Sequence, residues 1–244
     1  MARRLGGQKI LITGAARGLG AEFSVAVAKA GAAVLALGRN ADALGDMIAG
    51  LPGVGHDIVV ADIADADAVK AGLSGHQFDA VVNNAGVAVT APLASGDAAA
   101  AQQVITTNLM GSLWVLQASV PALKAAGGGV IINIASVLGH RPLPQTGIYA
   151  ASKAALIQMT RSAALELARD QIRVNALAPG YVITDLNREF LTSDEGERLK
   201  KRTALRRFAT PEELLPALLF LLDPKNSYMT GETLTIDGGM SAGL

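Results

Sequence analysis

The segment Lys9-Ile10-Leu11-Ile12-Thr13-Gly14-Ala15-Ala16-Arg17-Gly18-Leu19-Gly20 opens as an apolar run and closes on three glycines. The run from Lys9 to Thr13 has strand character, and Ala21 to Ala30, just beyond the glycines, has helical composition. Strand, glycine turn and helix in that order form a natural anion site. Glycines let the backbone come close to a phosphate, and the helix N-terminus turns free N–H groups toward it. The spacing is G-x-x-x-G-x-G and not G-x-G-x-x-G, so the usual dinucleotide fingerprint is not literally met. Glycines that merely turn the chain are the other reading.

Outward from this segment, short apolar runs alternate with helical stretches, which argues for βα units and a parallel sheet. Strands are expected near 9–13, 33–37, 57–60, 79–82, 129–135, 172–177 and 233–236. Helices are expected near 18–30, 41–49, 65–73, 98–125, 149–169 and 211–222, with a shorter one around 194–202. Pro121 should end or bend the fourth of these, since its ring removes a backbone donor. The expected fold is α/β: a doubly wound, seven-stranded parallel sheet with helices on both faces, forming one domain over 1–244. The 244 residues show no composition break, and α/β folds commonly reach this size undivided.

Half of the residues are hydrophobic and 17% are charged, a low charge content for a surface facing water alone. Some helix faces are therefore expected to be buried between subunits. A formal net charge of zero gives no electrostatic case for nucleic acid or an anionic membrane. The absence of cysteine excludes disulfides and thiolate metal sites. Arg3 and Arg4 are followed by no apolar h-region, and the apolar stretches fall short of a membrane span, so a cytoplasmic location is expected. His56, His76 and His140 have no partner at metal-ligand spacing, and no metal is expected.

Tyr149-Ala-Ala-Ser-Lys153 carries the chemistry. On a helix, residues four apart share a face, so phenol and ammonium point into one cleft. A free tyrosine has a pKa of about 10; a cation a few Å away favours the phenolate, and a drop of ~3 units corresponds to roughly 4 kcal/mol. Ser136, at the end of the run Val130 to Ala135, can offer a hydroxyl to the same reacting oxygen. Tyr and Lys at this spacing also occur on many helices as a packed ring beside a solvated cation.

Thr13-Gly14 with Gly18 and Gly20, Asn83-Asn84-Ala85-Gly86, Asn108, Ser136, Tyr149, Lys153 and Pro179-Gly180 stand in an order and spacing that resemble the short-chain dehydrogenase/reductase family. The resemblance runs from about Gly7 to Asp237-Gly238-Gly239 and is to the compact, single-domain branch with a Rossmann fold. It implies hydride transfer between a nicotinamide and a secondary alcohol or ketone. Tyr149 would be the acid/base and Ser136 would hold the substrate oxygen. Lys153 would tune the tyrosine and bind the nicotinamide ribose, while Asn108 would bend the long helix and anchor a water near the lysine.

For the cofactor, the resemblance implies phosphate contacts around Gly14, Arg17, Gly18, Leu19 and Gly20. The end of the second strand, where NAD-selecting relatives carry an acid, is Gly38 followed by Arg39. A guanidinium matches a 2′-phosphate, so NADP is favoured with NAD possible; a solvated helix-start arginine is the plainer reading of Arg39. Asp62 and Ile63 fit the adenine position, although Asp62 or Asp65 is equally suited to cap the next helix. Asn84, Ala85 and Gly86 would line the adenine ribose and Asn83 would be structural. Pro179, Gly180, Val182, Ile183 and Thr184 would reach the nicotinamide carboxamide.

Tyr181 to Thr210 is charge-rich, including Asp185, Arg188, Glu189, Arg198 and Arg202, and is expected to form a substrate lid at about 181–210. His140 falls in the loop between Ser136 and Tyr149 and is expected to be solvated, with at most a role in specificity. The connection from Ile63 to Phe78 and the run Leu199 to Phe208 resemble carbonyl/xylulose reductases and polyol dehydrogenases. The alternative is a 3-oxoacyl-thioester reductase, with Lys200, Lys201, Arg202, Arg206 and Arg207 receiving an acidic carrier protein or coenzyme phosphates. A non-catalytic dinucleotide-binding sensor is the alternative of another class. Alanine-rich helices near 98–125 and 149–169 carry Val104, Leu109, Leu113, Ile157 and Leu165 over more than one face. With the short, uncharged stretch Gly238 to Leu244, they suggest a homotetramer of two-fold symmetry, or a dimer.

Overall fold

The computed structural model describes residues 4–184 and 187–242; Arg3, Asp185, Gly243 and Leu244 lie outside the described residues. Seven parallel strands, β1 (Lys9–Thr13), β2 (Ala33–Gly38), β3 (Asp57–Val60), β4 (Ala80–Asn83), β5 (Gly129–Ile134), β6 (Ile172–Pro179) and β7 (Thr233–Ile236), form one sheet. Their order is β3-β2-β1-β4-β5-β6-β7. The apolar runs are continuous because the sheet is covered on both faces. Ile10 and Ile12 point to one side and Leu11 to the other, the two-residue period of a strand. The first side packs against α1 (Gly18–Lys29), α2 (Ala41–Ala49) and α9 (Leu215–Leu222). The second packs against α3 (Ala66–Leu73), α5 (Ser112–Ala125) and α6 (Gly147–Leu167).

This is the doubly wound architecture expected from the sequence. The chain reverses direction across the sheet between β1 and β4, and their carboxyl ends open a crevice there. Asn83 of β4 donates to the Asn133 carboxamide at 2.9 Å, and Asn133 donates to the Thr160 hydroxyl at 2.9 Å. This buried polar line ties the middle of the sheet to α6 just below the crevice.

The expected helix over 98–125 is divided. α4 (Ala98–Ile105) passes into a π turn at Thr106–Gly111 and then into α5. Pro121 does not end it: α5 runs on to Ala125. One missing donor is outweighed by the buried face of Val115, Leu116, Ser119 and Leu123, and the irregularity falls instead at Asn108, inside the π turn. A four-residue helix, α7 (Arg188–Leu191), precedes α8 (Asp194–Lys200) and was not expected.

The glycine turn is built by close approach. Gly14 and Gly18 have φ of 65° and 54°, and a Cβ on Gly20 would lie 2.1 Å from the Gly14 carbonyl oxygen and 2.7 Å from Asn84 Nδ2. Helix propensity alone favours alanine over glycine by about 1 kcal/mol inside α1. The clash is with backbone and cannot be relieved by a rotamer change, so Gly20→Ala is expected to destabilise the protein by about 2–3 kcal/mol. A denaturant midpoint that rises in this variant would show that the close approach does not exist.

Candidate active site

At the carboxyl ends of the strands lies a cleft of about 1590 Å³. Its floor at one end is the glycine turn. α1 starts there with no side-chain cap and no acidic residue in its first turn, so its leading N–H groups remain for an anion. Asn84 braces the turn, donating from Nδ2 to the Thr13 carbonyl at 3.0 Å, while Thr13 Oγ1 accepts from the N–H groups of Asn84 and Ala85 at 3.0 Å each. Asn84 thus shapes the site as well as lining it. Thr13 was read from the sequence only as part of the motif, yet its hydroxyl locks β1 to the β4 exit.

At the end of β2, Gly38 presents no side chain, and Arg39 beside it is 67% exposed. Arg39 stands 3.6 Å from the Asp62 carboxylate, with Asp62 itself 43% exposed. The capping alternative for Asp62 is removed, since Asp65 caps α3 through the N–H groups of Asp67 and Ala68. Asp62 instead accepts from Ala64 N–H at 2.9 Å and keeps its outer oxygen toward Arg39. Arg17, Gly18, Leu19, Ile63, Ala85 and Gly86 line the same end. A bare glycine turn, an uncapped helix and two arginines with no acid at the β2 end are the donor set that a phosphorylated dinucleotide requires.

At the other end, Ser136, Tyr149 and Lys153 come together on one wall. Ser136 closes β5 in an extended conformation and its hydroxyl accepts from Leu138 N–H at 3.1 Å, which fixes the oxygen's direction. Tyr149 and Lys153 occupy the first two turns of α6 and share a face, with Lys153 Nζ 5.7 Å from the Tyr149 ring centroid. Lys153 is 4% exposed and donates to the Ile134 carbonyl at 2.7 Å.

The charge state differs from the expectation. Burial raises the Tyr149 phenol above its ordinary value, the hydrogen bond with Ser136 pulls it down, and the neighbouring Tyr181 phenol raises it again. Burial also lowers Lys153 to about 8. The ammonium donates to the Ile134 carbonyl and lies over the Tyr149 ring, 5.7 Å from its centroid, and the net result is a phenol held above its ordinary value. A protonated phenol beside a hydroxyl, over a buried cation, can donate a proton to an oxygen placed between them.

Three expected residues, Gly20, Asn108 and Ile183, do not line the cleft. Gly20 packs beneath the turn, and Asn108 lies fully buried behind the wall. Asn108 Oδ1 accepts from Val87 N–H at 2.8 Å, and its Nδ2 donates to the Val87 carbonyl at 2.9 Å and to Ser152 Oγ at 3.1 Å. It therefore ties the loop after β4 to α6, one residue before Lys153. A Cβ on Gly86 would be 3.1 Å from Asn108 Oδ1, a tight contact, and 3.6 Å from Lys153 Nζ, so the chain passes close to both side chains here. Pro179, Gly180, Val182 and Thr184 line the cleft beyond the tyrosine. Ile183 turns away into a cluster with Leu191, Leu199 and Phe208. His140 is exposed and does not line the cleft.

Gln145, Phe190 and Arg198 also line it and carried no motif to announce them. Gln145 has φ of 64°, a left-handed conformation rare for a residue with a Cβ, and its carbonyl accepts from Ala91 N–H. Among the described residues no group of acids and histidines could hold a metal, and no helix is long and apolar enough to cross a membrane.

A protein-family model described as Enoyl-(Acyl carrier protein) reductase matches residues 14–241. The chain is 39% identical over 245 residues to a 3-oxoacyl-acyl-carrier-protein reductase of Thermotoga maritima, covering 97% of this chain and 99% of that one. It is 37% identical over 244 residues to galactitol 2-dehydrogenase (L-tagatose-forming) of Cereibacter sphaeroides, covering 97% and 96%. The crystal structure of a gluconate 5-dehydrogenase from Burkholderia cenocepacia J2315 in complex with NADP and tartrate has a TM-score of 0.92 at 33% identity, covering 99% of this chain and 98% of that one.

Proposed function

The chain belongs to the short-chain dehydrogenase/reductase family, and from there we propose that it is an NADP-dependent alcohol dehydrogenase/carbonyl reductase for a small polyol, sugar or related ketone. The observation that carries this reading is the meeting of Ser136, Tyr149 and Lys153 on one wall of a cleft whose other end is a bare glycine turn. Relatives in the same family act on polyols and sugar acids by name, which supports the substrate class.

When bound, the nicotinamide supplies or takes the hydride. The protein's part is the proton. Tyr149 donates to the carbonyl oxygen in reduction and accepts from the hydroxyl in oxidation. Ser136 offers its hydrogen to the same oxygen, stabilising the charge that develops there. Lys153, fixed by the Ile134 carbonyl, places its charge beneath the tyrosine and beside Gly86, where a ribose hydroxyl would be received. The segment at about 181–210, from which Phe190 lines the cleft, acts as the substrate lid, while Asn108 positions the loop and helix that frame Lys153.

NADP is the preferred cofactor because Arg17 and Arg39 flank a β2 end that has no carboxylate of its own. Asp62 engages Arg39 only at 3.6 Å in an exposed setting, so a phosphate can replace it. A charge-assisted hydrogen bond is worth about 1.5–3 kcal/mol. Arg39→Ala is therefore expected to raise the Michaelis constant for NADPH roughly tenfold or more and to change that for NADH little. A wild type that prefers NADH, or equal losses for both cofactors, would overturn the assignment.

The assembly reading rests on faces left open. Leu165 of α6 is 83% exposed, and Leu109 and Leu113 are half-buried, while Val104 and Ile157 are consumed in the subunit's own core. A homotetramer of two-fold symmetry would cover this face. Light scattering at micromolar concentration is expected to give four chains, or two if only one interface forms; a monomer mass would refute the reading.

The second reading, 3-oxoacyl-thioester reduction, is favoured by the relative from Thermotoga maritima. A screen that follows NADPH and NADH absorbance separates the readings. It should contain neutral ketoses, oxo acids, polyols and acetoacetyl-CoA, in both directions. Exclusive use of the thioester would replace the first reading, and no turnover with any carbonyl would leave a binding sensor.

A further inference from the structure

The cleft is not electrically even. Along its wall, among the described residues, stand five cations, Arg17, Arg39, Lys153, Arg198 and Arg202, against two carboxylates, Asp62 and Glu195. The whole chain has a formal net charge of zero, so the excess is local. It is also divided in space. Arg17 and Arg39 serve the glycine-turn end and Lys153 the reacting centre, while Arg198 and Arg202 come from α8 and the turn after it, at the substrate end.

Three other cations of this stretch are already engaged within the chain. Lys200 pairs with Glu197, and Arg207 grips Glu213 through two hydrogen bonds of 2.7 Å. Arg206 donates to the Lys201 carbonyl. Within the basic run that invited an acidic carrier protein, Lys200 and Arg207 are thus neutralised inside the chain. Arg198 and Arg202, four residues apart and facing the cleft, have no ion pair or side-chain hydrogen-bond partner among the described residues. Two guanidinium groups against the single carboxylate of Glu195 leave a net positive pocket able to take an anion bidentately.

We propose that Arg198 and Arg202 bind a carboxylate of the substrate, so that the compound reduced is an oxo acid whose charged end lies under α8 while its carbonyl meets Ser136 and Tyr149. The inference rests on the hydride-transfer reading above and narrows its substrate class. Tyr181 marks the path between the two ends. It lines the cleft together with Tyr149 and Arg202, and its phenol is raised by burial and pulled back by Arg202. A neutral polyol would leave both guanidinium groups without a partner; a terminal carboxylate would satisfy them.

Matched pairs that differ only in the far group test this: 4-oxopentanoate against 5-hydroxypentan-2-one, and 5-keto-D-gluconate against L-sorbose. The expected result is a kcat/KM at least tenfold higher for the carboxylate member of a pair. Arg202→Met and the double variant Arg198→Met/Arg202→Met should lower kcat/KM for the carboxylate at least tenfold more than for its neutral partner, mainly through KM. Both arginines are exposed, so neither variant threatens the fold. Calorimetric titration of 4-oxopentanoate into the NADP-saturated enzyme gives a readout independent of turnover, and affinity should fall at least tenfold in the double variant. Preference for the neutral members, equal losses for both members, or unchanged calorimetric affinity would overturn the inference, as would exclusive use of acetoacetyl-CoA. Failure of the hydride-transfer reading looks different: no carbonyl is reduced, while carboxylate binding still depends on the two arginines.

Discussion

Replacing Tyr149 with phenylalanine is expected to lower kcat for carbonyl reduction by about 10³-fold, the middle of the range for a positioned general acid. The substitution removes one oxygen and almost no volume, and Ser136 keeps its bond from Leu138 N–H, so the wall should stand. NADPH affinity, read by fluorescence titration, should change less than twofold, because the glycine turn and the arginines are far from the change. The experiment also discriminates between acids. Lys153, lowered to about 8, is the other group able to deliver a proton. If the phenylalanine variant kept more than a tenth of the activity, with a loss as pH rises through about 8, the ammonium would be the donor and Tyr149 only a wall.

The sheet was readable because both of its faces are covered. β1 and β5 carry the unbroken apolar runs Ile10 to Ile12 and Val130 to Ile132, and such runs between turns have few other solutions. The Ser136, Tyr149 and Lys153 wall was readable for a related reason, since helical spacing puts two of the three on one face whatever surrounds them. What escaped the sequence depends on distant neighbours. Pro121 was expected to end or bend the long helix, yet α5 runs on past it; the irregularity lies at Asn108, where the resemblance implied a bend, and what escaped is that the Asn108 carboxamide satisfies the loop after β4. The direction of the Tyr149 shift escaped as well. Spacing places a cation near the phenol, but only the fold shows the ammonium committed to Ile134 and the ring desolvated. Arg198 was read only as one charge of the lid and Arg202 as one of a basic cluster, and only the fold shows both lining the cleft while Lys200 and Arg207 are paired elsewhere. Gln145, left-handed at the cleft, follows no residue preference at all.

Lys153→Met is expected to lose turnover and yet give a more stable protein. Burial lowers the ammonium from its ordinary 10.5 to about 8, so at neutral pH the folded state holds a charge it disfavours while the unfolded chain holds it freely. The difference of about 2.5 units corresponds to roughly 3 kcal/mol against folding. Methionine fills nearly the same volume and carries no charge. It forfeits the charge-assisted bond to the Ile134 carbonyl, worth about 1.5–3 kcal/mol, and leaves a net gain of at most about 1.5 kcal/mol, or a few degrees in Tm. The sign carries a pH signature. Below pH 8 the lysine is charged in both states and the penalty is constant. Between about 8 and 10.5 it is charged only in the unfolded chain, so wild-type stability rises and the variant's advantage shrinks. Thermal melts at pH 7 and pH 10 read this directly. Reduction should fall by at least a hundredfold, with weaker NADPH binding, because the same cation is assigned to the tyrosine and to the ribose. A variant less stable than the wild type at pH 7 would mean that the fold fully compensates the buried charge. A variant that was stable and still active would remove Lys153 from the mechanism.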